Sequence, residues 1–370
     1  MSMHSYSDDN EANILSRTDN FPIRYTGHIH NGKVRSVYWL SHEDSKRIID
    51  EYNYEDIHPE SNLGVMIISD RISAFNVNWA GENGYGVSGK GASLNAISEY
   101  WLDKISEQGI AEHHILDTPH PLVWIVKKAQ PIKIEAIARQ YITGSMWRAY
   151  ERGERTFCGI SLPEGLEKNQ RLDELLITPT TKGVVRELVG VPAKDDTPIT
   201  RKQIENNYFR FNFYSPEDID RYETIVRDAF DLMNKELLDK EQILVDTKFE
   251  FGYVRKEDGI EMICIDEVGT PDSSRMWDKE KYERGIIEER SKEYFRKFLL
   301  NKFGKDVTRT KVAKKLAKNY KVPSDVFAEV SKIYRKMAKD ITGKNIPDIK
   351  NARQEVIDSL KPYGIIKNFQ

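Results

Sequence analysis

An α+β fold with more than one lobe is the architecture this sequence predicts, and three observations carry it. Between Tyr25 and Lys128 the β-type runs 35–40 and 63–69 are followed by helical spacing through Leu94, Ile97, Trp101 and Ile105. From Ile243 to Tyr253 the chain alternates strictly: Val245, Thr247, Phe249 and Phe251 point one way, and Asp246, Lys248 and Glu250 the other. Lys256-Glu-Asp-Gly259 then reads as a hairpin turn, with residues 260–268 as the return strand. After Leu300 the spacing becomes helical. Val312, Leu316 and Tyr320 share a face, and Pro323-Ser324 opens a second helix that aligns Val326, Val330, Ile333 and Met337.

These elements divide the chain into four stretches: a loose polar leader over 1–20, a strand-rich lobe over 21–130, a second α+β lobe over 131–300, and a basic helical extension over 301–370. Within the second lobe, residues 162–203 are rich in Pro, Thr and charge and poor in periodicity. A loop of that length inside a domain is commonly functional or disordered. The extension carries 17 Lys and Arg against 7 Asp and Glu, so the rest of the chain, net −3 overall, is acidic.

Composition narrows the class. At 370 residues, 39% hydrophobic and 31% charged, the chain can bury a sizeable core and belongs with ordinary globular proteins. Its longest apolar runs, such as 65–68, are too short to span a bilayer, so no membrane partner is expected. The leader has no basic start or apolar run of a signal peptide, which makes a cytoplasmic setting the expectation. Cys158 and Cys264, far apart, suggest neither a disulfide framework nor a cysteine zinc site.

Four clusters carry chemistry. Gly27-His-Ile-His-Asn-Gly32-Lys33 satisfies G-x-x-x-x-G-K but continues with Val34 instead of the magnesium-holding Ser or Thr. It reads either as a flap over nucleotide phosphates or as a hairpin turn with a solvated lysine. Asp246, Lys248 and Glu250 share a strand face whose partner ends in Asp266-Glu267. A three-residue loop sets Glu250 opposite Asp266, and a two-residue loop sets it opposite Glu267. Facing carboxylates repel unless a cation sits between them, and magnesium prefers such hard oxygens together with substrate phosphates. Lys248 would neutralise charge on a transferred phosphoryl group. A solvated face of alternating charges is the plain alternative.

The third cluster follows Thr270-Pro-Asp272, where Ser273, Ser274 and Arg275 offer a phosphate small donors and a guanidinium. The fourth is Glu135-Ala-Ile-Ala-Arg139 with Thr143-Gly144-Ser145, which opens a helix through Tyr150 and offers free N–H groups to an anion. A surface turn with salt bridges and an ordinary capped helix are the plain readings of these two.

Taken in order, these residues resemble the SAICAR synthetase family. The blocks that carry the resemblance are 32–35, Ser69-Asp-Arg-Ile-Ser-Ala-Phe75, Lys90-Gly91, 135–139 with 143–145, Thr178-Pro-Thr-Thr-Lys182, Asp246-Thr-Lys-Phe-Glu-Phe-Gly252 and 266–275. The resemblance implies a kinase-like antiparallel N-terminal lobe and an ATP-grasp-type second lobe. It implies that Gly32, Lys33 and Arg35 cover the ATP phosphates and that Val126 and Lys127 lie at an adenine-side hinge. Glu250 and Asp266 would hold Mg2+, with Lys248 near the transferred phosphoryl. Glu135, Arg139, Ser145 and Arg275 would bind an imidazole ribonucleotide, and Asp196 and Asp272 would stand near the amino-acid site. The implied partners are ATP, the carboxyaminoimidazole ribonucleotide and L-aspartate. The implied reaction activates a carboxylate with ATP, then lets the aspartate amine attack. Asn76 departs from the family's Asp after Ser-Ala-Phe, and Gln140 from its Gly or Asn.

Two rival readings remain. A kinase would use the same flap and carboxylates, but the chain has no His-Arg-Asp or Asp-Phe-Gly motif. The tail's basic helix pair has a helix-turn-helix flavour, yet nucleic acid is not the partner expected. An amphipathic pair docked on the core, or on a second copy in a homo-oligomer, needs no such partner.

Overall fold

The computed structural model describes residues 12–367 except 56, 258 and 289. In chain order its elements begin with strands β1 (His30–Asn31) and β2 (Arg35–Trp39), helix α1 (His42–Tyr52), and strands β3 (Leu63–Ile68), β4 (Ile72–Ala74) and β5 (Val77–Trp79). Helix α2 (Lys90–Glu107) and strands β6 (Ile115–His120), β7 (Val123–Lys127) and β8 (Gln130–Tyr141) follow. Next come α3 (Gly144–Glu151), β9 (Thr156–Phe157), β10 (Ile160–Ser161), β11 (Arg171–Ile177), β12 (Thr180–Thr181), α4 (Arg201–Asn206) and α5 (Glu217–Asp239). Strands β13 (Gln242–Lys256), β14 (Gly259–Ile265) and β15 (Arg275–Asp278) lead to α6 (Lys279–Glu283), α7 (Glu293–Phe303), α8 (Thr310–Asn319), α9 (Ser324–Thr342) and α10 (Ala352–Leu360). Among the described residues no helix is long and apolar enough to cross a membrane.

The chain forms two compact units. The first comprises residues up to 99, 115–128 and 290 onward; the second comprises 100–114 and 129–289.

In the first unit an antiparallel sheet runs β1-β2-β3-β7-β6. Its inner strands are largely apolar, with Val65, Ile67, Trp124 and Ile125 fully buried. The helix expected from residue 93 begins earlier, at Lys90, because Asp70 caps it from a distance. One Asp70 oxygen accepts the Gly91 N–H at 2.9 Å, and the other accepts the Leu15 N–H at 2.9 Å. Burial pushes the Asp70 carboxyl up to about 6, against the pull of those two N–H groups and of Lys90.

The leader expected to be loose over 1–20 is not so where it is described. Residues 1–11 lie outside the described part, but Leu15 and Thr18 are buried, and Tyr38 donates its hydroxyl to the Thr18 carbonyl. The C-terminal helices pack on this same unit. Val322 bridges to Gly81, and Phe327 packs so closely that a Cβ on Gly81 would come within 2.7 Å of its ring. Tyr334 lies under the Lys90 ammonium at 5.3 Å, and Ile366 pairs with Ile23.

The second unit is built on an antiparallel sheet ordered β11-β8-β13-β14, with β12 added on β8 and β15 on β13. Helix α5 packs against β13, with Tyr222 edge-on to Phe251. The alternating strand is buried on both faces. Val245, Thr247, Phe249 and Phe251 are at most 2% exposed, and Asp246 and Glu250 opposite them are 3% and 2% exposed. A solvated charged face is thereby excluded.

Two expectations are corrected. The hairpin pairs Lys256 with Gly259, and Glu250 faces Ile265 instead of Asp266 or Glu267. Strand β14 ends there, and Asp266 takes a left-handed φ of 61°. The stretch 162–203 is also not a structureless loop. It contains β11 and β12, both paired to β8; residues 162–170 and the part after Thr181, up to the Thr200 capping box of α4, are irregular.

Candidate functional site

The first unit holds the nucleotide candidates. Gly32 and Lys33 lie in the turn between β1 and β2, closed by the Gly32 N–H donating to the Arg35 carbonyl at 2.8 Å. Lys33 Nζ donates to Asn76 Oδ1 at 2.7 Å, and Asn78 Nδ2 donates to the Lys33 carbonyl at 3.3 Å. Asn76 and Phe75 form the two-residue turn of the β4–β5 hairpin, both at positive φ (62° and 54°). That conformation suits Asn and strains Phe. The hairpin tip thus grips the Gly-rich turn through its lysine. Arg35 lies deeper: it is buried, its guanidinium 5.5 Å from the Trp124 ring centre. Val126 and Lys127 end β7, opposite Gly64 and Leu63, and both are buried.

The second unit holds two charge clusters on the β8–β13 ladder. The first centres on Asp246. Its Oδ2 accepts from Arg139 Nη1 at 2.9 Å and from Arg275 Nη1 at 2.5 Å, while the Arg275 N–H reaches Oδ1 at 3.2 Å. Arg139 also donates to Thr178 Oγ1 at 2.9 Å and to Ser145 Oγ at 3.4 Å. Burial pulls the Arg139 guanidinium below its ordinary pKa, opposed by Asp246. Ser145 opens α3, whose cap residue Thr143 makes no side-chain hydrogen bond to the helix. Gly144 adopts φ +58°, and a Cβ there would lie 2.7 Å from the Arg275 guanidinium. Two guanidinium groups sharing one carboxylate at a helix N-terminus leave a net positive charge where backbone N–H groups are free.

In the second cluster Glu135 and Glu250 are direct partners across the ladder. Lys248 Nζ donates to Glu135 Oε1 at 3.1 Å and to Glu250 Oε1, and Lys182 is ion-paired with Glu250 Oε2. For Lys248, burial favours the neutral amine, but Glu135, Asp266 and Glu267 carry its pKa above the ordinary value. Lys182 goes the other way: burial lowers its pKa, partly offset by Asp266. Glu135 and Glu250 thus hold the two ammonium groups directly, while Asp266 and Glu267 act on them through charge.

Sequence reasoning placed Glu135 with the arginines, whereas the register sets it beside Lys248. In the sequence Asp246 belongs to the charged face of the alternating strand, but neither it nor Lys182 or Thr178 carries an assigned role there. Asp196 is exposed at φ 53°, its N–H donating to the Thr181 carbonyl at 3.1 Å. Asp272 lies half-buried in the turn where the Ser274 N–H returns to the Thr270 carbonyl at 2.8 Å.

A metal demands separate scrutiny. Among the described residues no group of three or more His, Cys, Asp and Glu gathers as a metal cage. Magnesium does not need one, since one or two carboxylates plus substrate phosphates suffice. The donors fit it: hard oxygens with an excess of two negative charges over the lysines.

Such a sheet, with a guanidinium pair and a carboxylate–ammonium lattice two residues apart, defines a protein with the charges to hold anionic small molecules. The sequence profile described as SAICAR synthetase matches residues 28–314, and the chain belongs to that family. It is 52% identical to the phosphoribosylaminoimidazole-succinocarboxamide synthase of Vibrio vulnificus over 363 residues, covering 95% of this chain and 98% of that protein. The Vibrio cholerae protein of the same name is also 52% identical, over 364 residues, 96% of this chain and 98% of the relative. Among solved structures, the Saccharomyces cerevisiae SAICAR synthase complexed with SAICAR superposes with a TM-score of 0.61 at 24% identity, covering 85% of this chain and 94% of that one. A SAICAR synthetase in complex with ADP gives 0.55 at 18% identity, over 86% and 99%. At these identities the structures bear on the fold, and they share its two-lobed α+β character.

Proposed function

We propose that this chain joins L-aspartate to 5-amino-1-(5-phosphoribosyl)imidazole-4-carboxylate with consumption of ATP, yielding SAICAR, ADP and phosphate in de novo purine (IMP) biosynthesis. The curated relatives support the reaction. The geometric observation that carries it is the single β13 face on which Asp246 organises one cluster and Lys248 and Glu250 the other, about 7 Å apart along the strand. A ribonucleotide phosphate held at the first cluster brings the rest of that substrate toward the second.

Arg139, Arg275 and Ser145 bind the ribonucleotide phosphate, with the free N–H groups of α3. Lys33, held by Asn76, and Arg35 serve the ATP phosphates, and Val126 and Lys127 the base. Glu250 and Asp266 would hold Mg2+, which supplies charge neutralisation on the nucleotide phosphates. Lys248 stabilises negative charge as the γ-phosphoryl passes to the substrate carboxylate. The aspartate amine then attacks the activated carbonyl carbon, a C–N bond forms and phosphate leaves. Asp196 and Asp272 are the carboxylates assigned to the amino-acid side, where one of them accepts the amine proton. A cytoplasmic setting belongs to this reading, supported by the metabolic role of the relatives.

The test is ADP release with ATP, Mg2+, the ribonucleotide and L-aspartate, omitting one at a time. Turnover only with all four, with product absorbance rising in step, is the expected result. ADP formed without aspartate or without the ribonucleotide would instead make this a kinase.

A further inference from the structure

Both oxygens of Glu250 are engaged by lysines, Oε1 by Lys248 and Oε2 by Lys182. A carboxylate that is to bind a cation must surrender one of them. The two lysines are not equivalent. Lys248 stands on the same strand and is also fastened to Glu135 at 3.1 Å. Lys182 follows the last residue of β12, anchored by its N–H to the Lys133 carbonyl at 3.0 Å, and precedes Gly183 at φ +72°. About a third of its side chain (35%) is exposed, against 2% for Glu250. It therefore reaches a buried carboxylate from the surface, where Lys248 is walled in.

We propose that Lys182 is the stand-in cation of this site: its ammonium occupies the Glu250 oxygen that a divalent cation takes, and yields it when a nucleotide phosphate arrives. The inference rests on Glu250 being the metal ligand. An unpaired buried carboxylate is costly, and so is the unpaired ammonium left behind when a cation displaces it. A metal ion arriving alone evicts Lys182 and offers it nothing. A metal ion arriving on ATP brings phosphate oxygens to receive the ammonium. Lys182 thereby makes the site discriminate between free metal and metal–nucleotide complex, and keeps it compact before substrates bind.

The experiment is direct Mn2+ binding to the full chain without nucleotide, read from the electron paramagnetic resonance of free Mn2+. Lys182→Met is expected to bind Mn2+ about tenfold or more tightly than the wild-type chain, because removing a buried competing charge is worth at least that factor. Lys182→Arg, which keeps the cation, is expected to stay as weak as wild type. In the presence of ADP the order reverses, with Lys182→Met binding the Mn2+–ADP complex less tightly. If Lys182→Met binds free Mn2+ no better than wild type, the proposal is overturned. Lys182→Gln repeats the comparison should the Met variant fail to fold. Adding Glu250→Gln to Lys182→Met separates the two layers. Loss of Mn2+ binding keeps Glu250 as ligand and lets the Lys182 comparison stand by itself. Unchanged binding overturns the ligand assignment and the proposal with it.

Discussion

Glu135 and Glu250 face each other across the β8–β13 ladder, and one ammonium group, that of Lys248, holds both. Removing it leaves the half-buried Glu135 carboxylate facing the buried Glu250, with Lys182 as the cation still on Glu250. Lys248→Ala is expected to lower kcat by about 100-fold or more and to destabilise the fold by roughly 3–5 kcal/mol. In Lys248→Ala/Glu135→Gln much of that stability should return while activity stays lost. Thermal melts beside steady-state rates check both.

The Asp246 pair of arginines predicts a different signature. Asp246→Ala strands two guanidinium groups, one of them fully buried, and should cost about 3–5 kcal/mol in urea denaturation. Arg275→Ala leaves Arg139 paired. It should fold nearly normally and raise KM for the ribonucleotide at least about tenfold, with KM for ATP little changed. Arg275→Lys should recover only part of this, because an ammonium cannot reproduce the guanidinium fork.

Gly144 tests the same place through the backbone. Alanine there meets both a left-handed φ and the Arg275 guanidinium at 2.7 Å. Gly144→Ala is expected to destabilise by about 1–2 kcal/mol and to raise KM for the ribonucleotide, because Arg275 must move. An unchanged KM would mean that Arg275 does not contact that substrate.

Asp70 predicts a pH dependence. Its folded-state carboxyl sits at about 6, above the ordinary 3.8, so the folded chain binds this proton more tightly than the unfolded one. The stabilisation from that proton is fully present below about pH 4 and is lost as pH rises through about 6. Between pH 7 and 5 the wild-type chain should therefore gain on Asp70→Asn by on the order of 1–2 kcal/mol. Parallel stability curves for the two would contradict this.

The tail yields a fourth kind of test. Val330, Tyr334, Met337 and Ala338 are at most 4% exposed within the first unit. Truncation after Leu300 uncovers the surface they protect, and the shortened chain is expected to aggregate or to melt well below the full one. Gly81→Leu is a subtler version, since it pushes Phe327 away.

What the sequence made legible was local. The alternation of 243–253, the turn at 256–259, the helix after Thr143 and the helix opened by Pro323-Ser324 are all periodicities or short signals, and each stands where it was expected. What stayed hidden depends on residues far apart in the chain. Nothing near Lys90 announces its helix start, because the cap is Asp70. The partner of Glu250 on β8, Glu135, lies 115 positions away, and only the register pairs the two. The hairpin differs: its turn is in place, but counting back from the Lys256–Gly259 pair sets Glu250 opposite Ile265, one residue short of the carboxylates expected there. The resemblance supplied the roles, and the ladder supplied the company each residue keeps.

Ile23 pairs with Ile366, and the Arg24 N–H reaches the Ile365 carbonyl at 2.8 Å, so the first unit is sewn shut by segments more than 300 positions apart. On the ribosome this sets an order of events. The early strands emerge first but must wait for the last helices before their cover exists, whereas the second unit has all its strands in hand once residue 289 has been made. The nascent chain therefore carries a finished second unit beside an unfinished first one for the whole time its final 80 or so residues are being synthesised. During that interval the apolar surface awaiting α9 and α10 is what a chaperone would meet.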